Sequence, residues 1–122
     1  MRVSKVTLTV DLSATGNSLP VEIMFLNGYS IVASWTGTPT GTLSLEGSNN
    51  AWDENALIPN QNNASSAATW VAINGSSTSL VGAAGSYMWN AADQNFQAVR
   101  IKYTRTSGTG TLTGFFRGKS GT

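Results

Sequence analysis

The chain has no cysteine and no histidine among its 122 residues. The first absence excludes a disulfide framework and thiolate metal sites, and leaves the redox compartment unread. The second removes the commonest general base and the commonest metal ligand. Charge is scarce as well: Asp, Glu, Lys and Arg make up 11% of the residues, well under the usual quarter, and the net charge is only +1. No strong global field results, so a highly basic nucleic-acid binder is not implied. The longest apolar run is a few residues, too short to span a membrane. The N-terminus, MRVSKVTLTV, lacks the apolar core and cleavage site of a secretory signal, and the expectation is a chain made and folded in the cytoplasm.

Gly, Ser, Thr and Asn fill the places that charged residues usually take. Such a composition suits strands and turns and makes a poor helical surface. Val6, Leu8, Val10 and Leu12 alternate with Lys5, Thr7, Thr9 and Asp11, the period-2 pattern of a half-buried strand. A loop over 13–19 and a strand over 21–26 follow, the latter with the continuous apolar run IMFL. Asn27-Gly28 then predicts a two-residue hairpin turn. Tyr29, Ile31, Ala33 and Trp35 share one face of the next strand, and Leu43 and Leu45 point inward from the one after the turn at 37–41. Short strands are expected over 70–73, 79–81 and 86–90, with Asn74-Gly75 as a second hairpin signal. The segment 51–58, AWDENALI, could form at most one turn of helix.

The strongest pattern is C-terminal, over 96–119. Val99, Ile101 and Tyr103 alternate with Arg100, Lys102 and Thr104. After Thr106-Ser107-Gly108-Thr109-Gly110, Leu112, Gly114 and Phe116 alternate with Thr113, Phe115 and Arg117. We expect two strands joined as a hairpin, carrying five of the seven basic residues. The whole reads as one all-β domain spanning 1–122, a jelly-roll-like antiparallel β-sandwich of about eight strands, eight or nine by turn signals.

Constellations for catalysis are weak. The carboxylates Asp11, Glu22, Glu46, Asp53, Glu54 and Asp93 lie beside turns, in a loop, or on outward strand positions, and read as solvated charge rather than a glycosidase pair. A serine nucleophile would lack a histidine base, and no G-x-S-x-G elbow occurs. Ser48, Asn49, Asn50, Asp53 and Glu54 supply oxygens, but their spacing matches no calcium loop. The expectation is no catalytic residue, no metal and no cofactor. Gly108–Gly110 joins two strands, so no phosphate-binding loop is indicated.

Contact with another molecule has better candidates. Residues 49–66 form a long, Asn-rich loop, and loops of that length tend to be functional or disordered. Trp52 lies in it, and a Trp among polar loop residues marks an interface. Arg100, Lys102 and Arg105, with Arg117 as a further member, form a basic row that reads first as a solvated strand face and second as a contact for a charged partner, an acidic protein flank or nucleic acid. Trp35, Trp70 and Trp89 keep step with other apolar residues and are expected in the core.

The segment SYMWNAADQ, the V-R-x-x-Y-T strand at Val99–Thr104 and S-G-T-G-T-L at Ser107–Leu112 resemble small virion proteins of tailed bacteriophages. The likeness covers the last third of the chain and, more loosely, WTGTPTGTLSLEGSN at 35–49. It implies a non-enzymatic structural protein, most simply a capsid decoration (cement) protein on the capsid exterior. It also implies the major capsid protein or other virion proteins as partners, and a homo-oligomer, for which local three-fold symmetry and hence a trimer is one form. Nucleic acid and membrane are not among the expected partners. The alternatives are a carbohydrate-binding or host-attachment module on a head or tail fibre, and a tail or neck component.

Overall fold

A computed structural model describes residues 2–23, 28–51, 68–92 and 97–120. Period-2 alternation becomes strand throughout, and no helix is present among the described residues. One sheet, sheet I, is built from β1 (Arg2–Asp11), β10 (Thr111–Ser120), β4 (Gly28–Trp35) and β8 (Gly85–Ala92), in that order. The facing sheet, sheet II, runs from β2 (Gly16–Asn17) and β3 (Val21–Glu22) through β9 (Ala98–Ser107) and β5 (Thr40–Ser48) to β6 (Val71–Ala72) and β7 (Thr78–Val81). All pairings are antiparallel.

β2 and β3 both pair with β9, and β6 and β7 both pair with β5. Counted as two interrupted strands, they leave eight, ordered first–eighth–third–sixth and second–seventh–fourth–fifth. That is jelly-roll topology, as the turn spacing led us to expect.

The inward faces are those the alternation predicts. Leu8, Val10, Tyr29, Ile31, Ala33, Trp35, Leu112 and Phe116 from sheet I meet Leu43, Leu45, Val99, Ile101 and Tyr103 from sheet II. The Tyr29 and Phe116 rings stack with centroids 5.5 Å apart. The two core tryptophans satisfy their indole N–H groups on backbone carbonyls: Trp35 donates to Ala83 at 3.0 Å and Trp89 to Ser76 at 2.7 Å. A buried indole needs such an acceptor.

Three expected hairpins are not hairpins. β9 lies in sheet II and β10 in sheet I, so the segment between them is an arch that crosses the core. The same holds on either side of Asn27-Gly28: β3 pairs with β9, β4 with β10 and β8, and Asn27 itself lies outside the described residues. At Asn74-Gly75 both flanking strands pair with β5 rather than with each other. Five residues, 73–77, lie opposite only Leu45 and Ser44, so the turn makes a bulge within one interrupted strand.

At one end of the sandwich the arches lock together. Thr38 donates its N–H to the Thr109 carbonyl at 2.8 Å, Thr36 to Thr111 at 3.0 Å, and Leu12 to Gly110 at 2.9 Å. Gly37 and Gly108 have φ of +86° and +81°, where a Cβ is strained. A Cβ at Gly108 would also strike the Thr38 carbonyl, and one at Gly37 the Thr109 carbonyl. Backbone packs on backbone here, and only glycine leaves room.

Candidate interaction surface

The strands of sheet II place three groups together on its outer face. Arg100 on β9 is the register partner of Glu46 on β5, and both side chains point away from the core. Their ion pair is 2.8 Å from Nη2 to Oε1, with a second bond of 2.9 Å from Nε to the same oxygen. The guanidinium lies over the Trp70 ring, 4.2 Å from its centroid, a cation–π contact. Trp70 is therefore not a core residue. It packs, half-buried, with Ala68, Ala51 and Ala98 in a small second cluster on the outside of sheet II. Ala72, two residues on, is the register partner of outward-facing Glu46, so Trp70 has the parity of the outer face.

The basic row divides. Lys102 shares the outer face with Arg100, with Ser44 and Asn17 as register partners. Arg105 has the opposite parity, and its Nε donates to the Gly108 carbonyl at 2.9 Å, bracing the arch. A register shift between Thr40 and Gly41 occurs at that end of β9. Arg117, on β10, belongs to the outer face of the other sheet. With Arg100 neutralised by Glu46, Lys102 is the one member of the row on this face without an ion-pair partner among the described residues. Trp52 lies outside the described residues, as do Asp53, Glu54 and Asp93.

Beside this stack is a depression of about 500 Å³, lined by residues 47–50 and by Thr69, Val71, Ala72 and Ile73. Its walls are tied by side-chain amides. Asn50 Oδ1 accepts from the Thr69 N–H at 2.8 Å and from Ser48 Oγ at 3.0 Å, and Asn49 Oδ1 accepts from the Gln97 N–H at 3.2 Å. Among the described residues no ionisable side chain lines it. The carboxylates described elsewhere are dispersed, with Asp11 capping the turn at Ser13 N–H, 2.9 Å away. Among the described residues no three or more His, Cys, Asp or Glu side chains converge as a metal cluster would require. No helix among them is long and apolar enough to cross a membrane.

Burial raises the Tyr29 hydroxyl to a pKa of about 12. Tyr103, which donates to the Thr40 carbonyl at 3.2 Å, is also raised by burial, with the Arg105 guanidinium acting in the opposite sense. Both tyrosines stay neutral and structural at ordinary pH.

No family model matches the sequence, and no curated protein matches it as a relative. Solved structures do match the fold. A SPBc2 prophage-derived protein, YomS, superposes with a TM-score of 0.55 at 14% identity, over 96% of each chain. A chain in the structure of infectious bursal disease virus, Gx strain, gives 0.50 at 12% identity over 98% of this chain, which spans only 33% of that one. A CBM4 structure gives 0.43 at 13% identity, over 93% of this chain and 72% of that one. At these identities the likeness is one of fold: this chain is an antiparallel β-sandwich of the kind seen in the first two.

Proposed function

We propose that the protein is a non-enzymatic structural component of a bacteriophage virion, and within it a capsid decoration (cement) protein on the capsid exterior. The observation that carries this reading is the end-to-end likeness to the prophage-derived chain, over 96% of both. The phage-virion resemblance of the last third supports it independently. The molecule also suits the task. Locked arches hold two sheets rigidly, and the ionic groups on the outer face of sheet II serve packing: Glu46 holds Arg100, which covers Trp70.

The mechanism is linkage. A domain that binds only where shell subunits meet stabilises the assembled shell by mass action, and many symmetric copies let weak contacts suffice. The major capsid protein is the partner, with Trp52 as the anchor and Lys102 and Arg100 at the rim. A Trp buried on docking dominates such an interface, at about 2 kcal/mol or more on truncation.

The test mixes purified protein with shells that lack it and measures occupancy and shell melting temperature. The parent should load and raise the melting temperature. Trp52→Ala should fold normally but load poorly, while Lys102→Ala should give a milder defect that grows with salt. A parent that does not bind shells sinks the cement reading. Glycan-array binding would then favour host attachment, and a low copy number in virions a tail or neck position.

A further inference from the structure

Between Glu54 and Asp93 the sequence has no charged residue. The described part of that stretch contains β6, β7 and β8, which together make one flank of the sandwich. Six large apolar side chains are exposed among the described residues, and four of them, Val71, Val81, Tyr87 and Met88, lie on this flank. β8 is the end strand of sheet I, and no strand among the described residues pairs with its outer side.

The hydrogen-bond phase of sheet I shows what β8 offers there. Thr36 N–H donates to the Thr111 carbonyl, so the odd-numbered residues of β10 bond toward β4. The even residues of β4 therefore bond β10 and its odd residues bond β8. In β8 it follows that Ser86, Met88 and Asn90 direct their N–H and C=O groups outward. Natural edge strands are usually blunted by charge, proline, bulges or brevity. β8 has none of these: it is eight residues long, GSYMWNAA, without charge or proline, and paired with β4 in unbroken register. The opposite edge of the sheet, β1, contains Arg2, Lys5 and Asp11.

We propose that β8 is a self-association edge, pairing antiparallel with β8 of a second copy about a two-fold axis at Met88. In that register Met88 opposes Met88, and Ser86 opposes Asn90 of the other copy. The second copy is the occupant because of charge. Isologous pairing sets a strand against itself, which in a charged edge brings like charges close, and β8 has no charge to repel. The pairing also extends an apolar row. Phe115, Val32 and Met88 occupy one rung on the outer face of sheet I. Phe115 and Met88 are 56% and 60% exposed. A two-fold at Met88 joins this rung to its equivalent, making one stripe across an eight-stranded sheet. A β1-to-β8 contact would instead be heterologous and, unless it closed, would propagate as a filament.

This inference does not depend on the virion reading and is tested on the isolated protein. Sedimentation velocity over a concentration series should show a species of twice the 12.8 kDa chain mass. Met88→Lys sets two ammonium groups opposite each other. Asn90→Pro removes an outward N–H and no bond to β4. Each should return the monomer with an unchanged β circular dichroism spectrum. Met88→Cys gives a chain with a single thiol, which should oxidise to a covalent dimer far faster than Thr113→Cys, placed on the same face two strands inward. A parent monomeric at every concentration overturns the proposal. So does a dimer that survives both Met88→Lys and Asn90→Pro, or a Met88→Cys chain that crosslinks no faster than the Thr113→Cys control.

Discussion

In sheet I the two outer strands, β1 and β8, run unbroken for ten and eight residues. In sheet II both outer strands are interrupted, and at the same rung. Leu45 and Ile101 are register partners at the centre of that sheet, each bonding outward to a different edge. On one side Ile101 N–H donates to Ser18 Oγ at 2.9 Å, and on the other Leu45 N–H donates to Ser76 Oγ at 3.0 Å. Both serines are buried, at 5% exposure. A serine hydroxyl thus replaces the backbone carbonyl wherever the edge strand leaves the ladder, and the donor is not left unpaired. One sheet keeps regular edges able to accept another strand. The other breaks its edges, which makes them poor templates, and repairs the gap internally. Backbone satisfaction is common to both, and the difference lies in what each edge offers to another chain.

The largest effect should come from the joint that holds the two sheets in relation. Gly108→Ala imposes a strained φ and a clash with the Thr38 carbonyl, and we expect a loss of about 3 kcal/mol or more. Chemical denaturation would measure it, and a loss below about 0.5 kcal/mol, the range of an ordinary surface change, would mean that the arches are not packed this closely.

Next in size are the two serine repairs. Ser76→Ala and Ser18→Ala each strand a buried N–H, at about 1–3 kcal/mol apiece. Thr113→Ala on the outer face of sheet I should stay within about 0.5 kcal/mol. Hydrogen exchange should show faster loss of protection at Leu45 in the first variant and at Ile101 in the second. Equal effects at all three positions would erase the contrast between the sheets.

The smallest effect is silent at neutral pH. Tyr29 in sheet I has its pKa raised to about 12 by burial, against an ordinary value of 10.0. The folded state therefore holds the proton more tightly. The stability this confers is complete below pH 10 and is lost as pH rises through the folded value. Melting temperature should fall over that window, and Tyr29→Phe should flatten the fall. Tyr103 in sheet II, also raised, contributes in the same direction.

Much of this fold was legible in the residues. Alternation marked Leu8, Ile31, Leu45, Ile101, Tyr103, Leu112 and Phe116 as inward, and all are buried. It also assigned Phe115 and Arg117 to the outside, where they are exposed. Less of the candidate surface was readable. Arg105 was grouped with Arg100 and Lys102, but the register shift near its end of β9 and its bond to Gly108 separate it from them. Residues 70–73 are all apolar, so alternation there names no inward face. Trp70 was expected in the core, yet it shares the parity of Ala72, opposite outward Glu46, and lies under Arg100 on the outer face of sheet II. Nothing local to Trp70 reports a cation thirty positions away in sequence.

The all-β class and the buried faces thus follow from sequence alone, because a strand's period is a property of its own backbone and of which side meets water. Partnership between strands does not. A Gly/Thr/Ser linker permits a hairpin, in which two strands lie side by side, and equally an arch, in which they face each other across the core. Both arrangements bury the same alternate residues, so the pattern at Val99–Tyr103 and Leu112–Phe116 is identical in either. The choice was made by long-range pairing: β9 finds β5 and the β2–β3 edge, β10 lies between β1 and β4, and the arches at 36–39 and 107–110 close on each other. Those contacts join residues far apart in the chain, and only the folded structure brings them together.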